Sequence, residues 1–175
     1  MALVKISKGA DIRHEYTDGV SRVPVLEGAY KDAAVEHISL QPGAELSPAL
    51  YSKTEHNQVF LITAGKGYIA TPRRVFNITE VSVFVPDFDK EQFTFHCAAD
   101  AKECMEIVHF VTELNDYDKT CLKEAHLTLP RFRGVSQAWH YKEDFTGADI
   151  QQMMMIEHRN LGRLSMGANF GTGPN

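Results

Sequence analysis

Between Val23 and Thr112 apolar and polar residues alternate in short runs, and no long window holds a helical period. The pattern predicts strands at Ala34 to Leu40, Gln58 to Thr63, Gly67 to Ala70, Val75 to Ile78, Val81 to Val85, Phe93 to Cys97 and Met105 to Thr112. Turn-forming text separates them: Gln41-Pro42-Gly43, Ala64-Gly65-Lys66-Gly67, Thr71-Pro72 and Pro86-Asp87-Phe88-Asp89. Many short strands at close spacing build an all-β sandwich or barrel.

After Leu114 the text turns polar and is broken by Pro130, Gly134 and Gly147, which predicts a long connection with one short helix from Tyr117 to Ala125. From Ile150 it becomes strand-like again. Four segments follow: an N-terminal arm over 1–22, a barrel over 23–113, a connection over 114–149 and a tail over 150–175. In that tail, Gly162 to Pro174 echoes His37 to Pro48, with an apolar-Ser-apolar strand, a Gly-Ala pair and a run ending in proline. The echo is either chance or the opening strand of a second copy; the tail could equally close its own sheet or pair with a partner's. The methionines Met153 to Met155 read as core or interface filler.

Composition narrows the function classes. A net charge of −5, with Arg73-Arg74 as the one basic pair that stands out, argues against a nucleic-acid or anionic-membrane partner. No apolar run approaches the ~20 residues of a membrane span or forms a signal-peptide core, so a cytoplasmic protein is expected. Cys97, Cys104 and Cys121 have no C-x-x-C spacing and fit reduced thiols.

The stretch from Ser52 to Ile69, SKTEHNQVFLITAGKGYI, resembles the first motif of the cupin superfamily, G-x5-H-x-H-x3,4-E-x6-G. Laid on Gly65, that motif puts its glutamate at Gln58 and its histidines at Ser52 and Thr54. The second motif, G-x5-P-x-G-x2-H-x3-N, laid on Pro86, puts its glycine at Phe88, its histidine at Glu91 and its asparagine at Phe95. The spacing matches and the ligands do not. The resemblance implies a cupin-type double-stranded β-barrel, or jelly roll, with a C-terminal extension. It covers about Val23 to Thr112.

Strand parity then sorts the side chains, because alternate residues face opposite sides. Ser52, Thr54, His56, Gln58 and Phe60 share one face, and Glu91, Phe93 and Phe95 share another, so these form the expected lining of the barrel. Glu91 and His56 are the candidate acid–base pair. Each has a plainer reading, His56 as a hydrogen-bonded barrel histidine and Glu91 as half of an ion pair with Lys or Arg; the three phenylalanines fit a core as well as a ligand-facing wall. One carboxylate and one imidazole are a poor donor set for a tightly held transition metal, which leaves no expected metal ligand and room for a weakly held divalent cation at most.

Three functions remain open. The first is a metal-poor structural or small-molecule-binding half of a bicupin in carbohydrate or small-acid metabolism. The second is a small isomerase- or epimerase-like enzyme using Glu91 and His56 on a sugar or carboxylic acid. The third is a non-catalytic ligand sensor. An open barrel edge and the apolar tail favour a homodimer.

Overall fold

In the computed structural model, the structure describes residues 12–25, 27, 31–124 and 129–136. Ten strands and one helix run in the order β1 Val20–Pro24, β2 Ala33–Leu40, β3 Glu45–Leu46, β4 His56–Ala64, β5 Gly67–Ala70, β6 Val75–Ile78, β7 Ser82–Val85, β8 Thr94–Cys97, β9 Met105–Glu113, α1 Asp116–Glu124 and β10 Arg131–Gly134. They form two antiparallel sheets, one of six strands in the order β1-β2-β9-β4-β7-β10 and one of four in the order β3-β8-β5-β6. Apart from β1-β2 and β5-β6, neighbouring strands are not consecutive in the chain, which marks a double-wound β architecture.

Alternation decides which side chains meet between the sheets. Ile38 and Leu40 of β2, Phe60 and Ile62 of β4, Phe84 of β7, and Met105 and Ile107 of β9 face the four-stranded sheet, which contributes Ile69, Ile78, Phe95 and Cys97. Phe93, just ahead of β8, joins them. At the centre Phe60, Phe84, Phe93 and Phe95 contact one another with ring centroids 5.0 to 6.3 Å apart. Tilted and edge-on rings of this kind satisfy the aromatic quadrupole while filling the space.

Glycine is required where the chain changes sheet. Gly65 has φ +89°, and a Cβ there would stand 2.5 Å from Met105 Cα at the start of β9. A Cβ on Gly67 would run into the carbonyl oxygen of His96 on β8. The turn between Ala64 and Gly67 therefore carries the chain from the six-stranded to the four-stranded sheet at backbone contact distance, which only glycine permits. A register shift between Ile62 and Ala64 opposite β9 starts this corner.

Phe88 has φ +49°, the left-handed region that a bulky residue rarely occupies. It stands where the resembling motif carries glycine. Its ring is buried against Leu114 and Leu129, and this burial offsets the backbone strain of roughly 1–2 kcal/mol.

The expected strands appear with end shifts of one or two residues: β4 begins at His56, β7 at Ser82 and β8 at Thr94. Three strands were not expected: β1, the two-residue β3 and β10. β1 starts inside the segment read as an arm, and β10 lies within the segment read as a connection, yet both join the six-stranded sheet. Their texts, VSRVP and RFRG, are too short and polar to announce strands; pairing with β2 and β7 creates them. Helix α1 is capped by Asn115, whose side-chain oxygen accepts the Asp118 amide at 2.9 Å. Cys97 and Cys104 are free thiols. Among the described residues no helix is long and apolar enough to cross a membrane. The arm up to residue 11, the methionine run and the echo at 162–174 lie outside the described residues.

Candidate functional site

A cavity of about 420 Å³ opens at one end of the barrel, lined among others by Arg22, Lys31, Tyr51, His56, His109 and Glu113. It exists because the inward rows of three strands turn polar at the same end. Along β2 the inward positions Leu40 and Ile38 are followed by Glu36; along β9, Met105 and Ile107 by His109; along β4, Ile62 and Phe60 by Gln58 and His56. The apolar half of each row closes the core, and the polar half forms the mouth.

Register then assembles a network. His109 is the backbone partner of Glu36 on one side and of Phe60 on the other. Its ring stacks on Phe60 with centroids 4.2 Å apart and planes 3° from parallel. Its Nδ1 is 2.7 Å from Glu36 Oε1, and its Nε2 is 3.1 Å from Gln58 Oε1. Gln58 in turn donates from Nε2 to the Ala49 carbonyl at 3.1 Å, which fixes its amide with the oxygen toward His109. Both nitrogens of this ring, 3% exposed, thus face side-chain oxygens. Arg22 reaches over from β1 and donates to Glu36 through Nε at 3.0 Å and Nη2 at 2.5 Å. Burial alone would raise the Glu36 carboxyl, but the hydrogen bonds and charges of His109 and Arg22 outweigh it and hold the group at about 2.

One polar atom in this mouth is left over. His56 Nδ1 is buried and has no hydrogen-bond partner among the described residues, while its ring lies 5.2 Å from that of Tyr51. A buried imidazole nitrogen without a partner is costly, and a bound polar molecule would relieve it.

Of the residues that parity assigned to the lining, the cavity takes His56. Phe60, Phe93 and Phe95 are completely buried in the central core, so no ligand reaches their faces. Ser52 and Thr54 hydrogen-bond each other at 2.9 Å, and Gln58 is spent on His109 and Ala49. Glu91 is buried but paired with the exposed Arg73, which donates to its Oε2 through Nε at 2.9 Å and also through Nη2. The Arg73 guanidinium lowers the Glu91 carboxyl below its ordinary range. Glu91 is absent from the wall that His56 lines.

These contacts also test the family's ligand positions for a metal. The donors at 52, 54 and 58 are neutral and mutually satisfied, and the carboxylate at 91 is neutralised by arginine, so this set does not fit a transition-metal ion. Arg22, Glu36 and His109, which build the mouth, were not among the sequence candidates. The signal was parity: Glu36 shares a face with Ile38 and Leu40, and His109 with Met105 and Ile107. What parity cannot supply is that the two strands are neighbours.

No family model and no curated protein matches the sequence. Solved structures do match. KdgF from Halomonas sp. superposes with a TM-score of 0.52 at 11% identity, over 65% of this chain and 97% of that one. A predicted oxalate decarboxylase from Thermotoga maritima gives 0.52 at 14% identity, over 63% of this chain and 100% of that one. An RmlC-like cupin from Shewanella frigidimarina also matches, with a TM-score of 0.48 at 16% identity, over 65% of this chain and 95% of that one.

Proposed function

With the cupin-type β-barrel as its fold, we propose that this chain binds a small hydroxylated or carboxylated metabolite in the barrel mouth, without a transition metal at the family's ligand positions. One observation carries the reading: His56 Nδ1 is buried, unpartnered and part of a cavity that Arg22, Tyr51 and His109 also line. A cavity of about 420 Å³ suits a molecule of sugar-acid size. The Arg22–Glu36–His109–Gln58 chain supplies a rigid, hydrogen-bonded floor, which lowers the ordering cost of binding.

Titration calorimetry and thermal unfolding with gluconate, galacturonate, succinate and citrate test it. At least one probe is expected to bind saturably and raise the Tm, with affinity weakened about tenfold in His56→Ala, the loss of one good hydrogen bond. No binding by any probe, or equal binding in His56→Ala, overturns the reading.

A second reading is favoured by Glu91 Oε1, which is also buried without a partner. In it Glu91 and His56 transfer protons as an isomerase would, on a metabolite that extends from the mouth to Glu91 once Arg73 releases the carboxylate. Proton NMR of the same probes in deuterium oxide checks this. No solvent exchange or conversion by the wild type leaves binding alone, and conversion that persists in Glu91→Gln removes Glu91 from the reaction. The bicupin arrangement belongs to the first reading as a proposal only, since its support is the echo at 162–174.

A further inference from the structure

The outer face of the six-stranded sheet carries a second polar cluster. On β2 the outward positions are His37 and Ser39, and on β9 the outward position opposite Ser39 is Glu106. The segment before β1 crosses this face. Tyr16 Oη lies 2.9 Å from Ser39 Oγ, and His14 Nδ1 lies 2.9 Å from Ser21 Oγ on β1. These two contacts bring the His14 ring to 5.1 Å from the His37 ring, centroid to centroid.

We propose that His14, His37 and Glu106 form a binding site for a divalent transition-metal ion on the outside of the barrel. Each side chain offers one ligand atom, and the three atoms lie within 4.8 Å of one another. Bonds of about 2.1 Å to one tetrahedral ion place ligand atoms roughly 3.4 Å apart, so contraction by at most about 1.4 Å, shared among three side chains, closes the site. Among the described residues no other group of three histidine, cysteine or acidic side chains meets that distance.

The hydrogen bonds around the cluster are incomplete in a way that points to a ligand. Ser39 Oγ donates to Glu106 Oε1 at 2.9 Å and so orients the carboxylate. Glu106 Oε2 is buried and, among the described residues, has no hydrogen-bond partner; His37 Nε2 stands 3.6 Å away, beyond hydrogen-bond length. His37 Nδ1 is also buried and unpartnered. Two orphaned atoms on adjacent strands would be a cost with no return if the cluster served only packing. A cation between Glu106 Oε2 and the facing His37 Nε2 gives the carboxylate oxygen its missing partner.

Outward-facing Ser39 and Ser21 are the groups that hold the carboxylate and the His14 ring, the usual task of residues behind metal ligands. Two imidazoles and one carboxylate suit zinc, nickel, cobalt or iron(II) and leave positions open for water. The bound ion would tie the segment carrying His14 to β2 and β9. The site is separate from the cavity, whose lining includes none of His14, His37 and Glu106.

The test is equilibrium dialysis and calorimetry of the full chain, stripped with chelator and titrated with zinc, nickel and cobalt(II). The expected result is one ion per chain, a visible cobalt ligand-field absorption and a metal-dependent rise in Tm. His14→Ala and Glu106→Gln are each expected to weaken binding by more than about tenfold. His96→Ala, whose ring stacks on Tyr68 and pairs with Glu45, leaves binding unchanged. His14 precedes the sheet's first strand, so its variant keeps the barrel and the comparison valid, as circular dichroism would verify. Absence of binding, or binding that survives His14→Ala and Glu106→Gln, overturns the proposal. Binding lost in His56→Ala instead places the ion in the cavity, which also overturns it. The metabolite titrations are run on stripped protein and succeed or fail independently.

Discussion

Phe60→Ala is expected to destabilise the barrel by about 3–5 kcal/mol, read as a fall in the urea midpoint at unchanged slope. The ring is fully buried and touches Phe84, Phe93 and Phe95 at centroid distances of 6.3, 5.5 and 5.0 Å. Its other face stacks on His109. Removing it opens a void between two sheets that cannot close on it, because β4 is held between β9 and β7. It also exposes one face of His109 to that void, so the polar floor of the mouth loosens with the core. Phe60→Leu, which keeps most of the volume, is expected to cost under half as much. A loss in Phe60→Ala below about 1 kcal/mol would mean that the central aromatic cluster does not hold the sheets together.

Acid is expected to remove on the order of 3 kcal/mol through Glu36 alone. The ordinary carboxyl value of 4.5 falls to about 2 in the folded protein, so the unfolded chain takes up this proton first. The contribution is complete above pH 4.5 and is lost as pH falls from there toward 2. Urea unfolding at a series of pH values measures it, with Glu36→Gln as the comparison. The wild type should lose stability more steeply than Glu36→Gln across that window, and the variant should already be weaker at neutral pH because Arg22 and the buried His109 lose their shared carboxylate. Equal slopes for the two proteins would show that Glu36 is not the group held down.

Much of this was legible before any coordinates. The alternation at Val75–Ile78 and Gly67–Ala70 gave those strands to the residue, and the run from Asp116 to Glu124 formed a helix one residue from its expected start. Spacing also located two backbone specialities: Gly65 occupies the positive-φ corner between sheets, and Phe88 adopts the left-handed conformation at a position where the resembling motif holds glycine.

Neither polar cluster was legible as a cluster. β1 and β10 carry weak strand text, and Arg22 acquires its role only because β1 pairs with β2 and lays its guanidinium across Glu36. Residues 36 and 109 are adjacent because β2 and β9 are neighbours in a sheet whose order skips most of the chain between them. His14, His37 and Glu106 meet for the same reason, with a loop segment folded across the strands. The sequence by itself determined the all-β class, most strand positions, the facing of side chains along each strand and the glycine-dependent corner, because alternation and turn chemistry act over a few residues. Tertiary structure alone decided which strands are neighbours, and therefore that Glu91 would be held by Arg73 while His109 met Glu36, because strand order is set by the packing of the whole core and leaves no local trace in either strand.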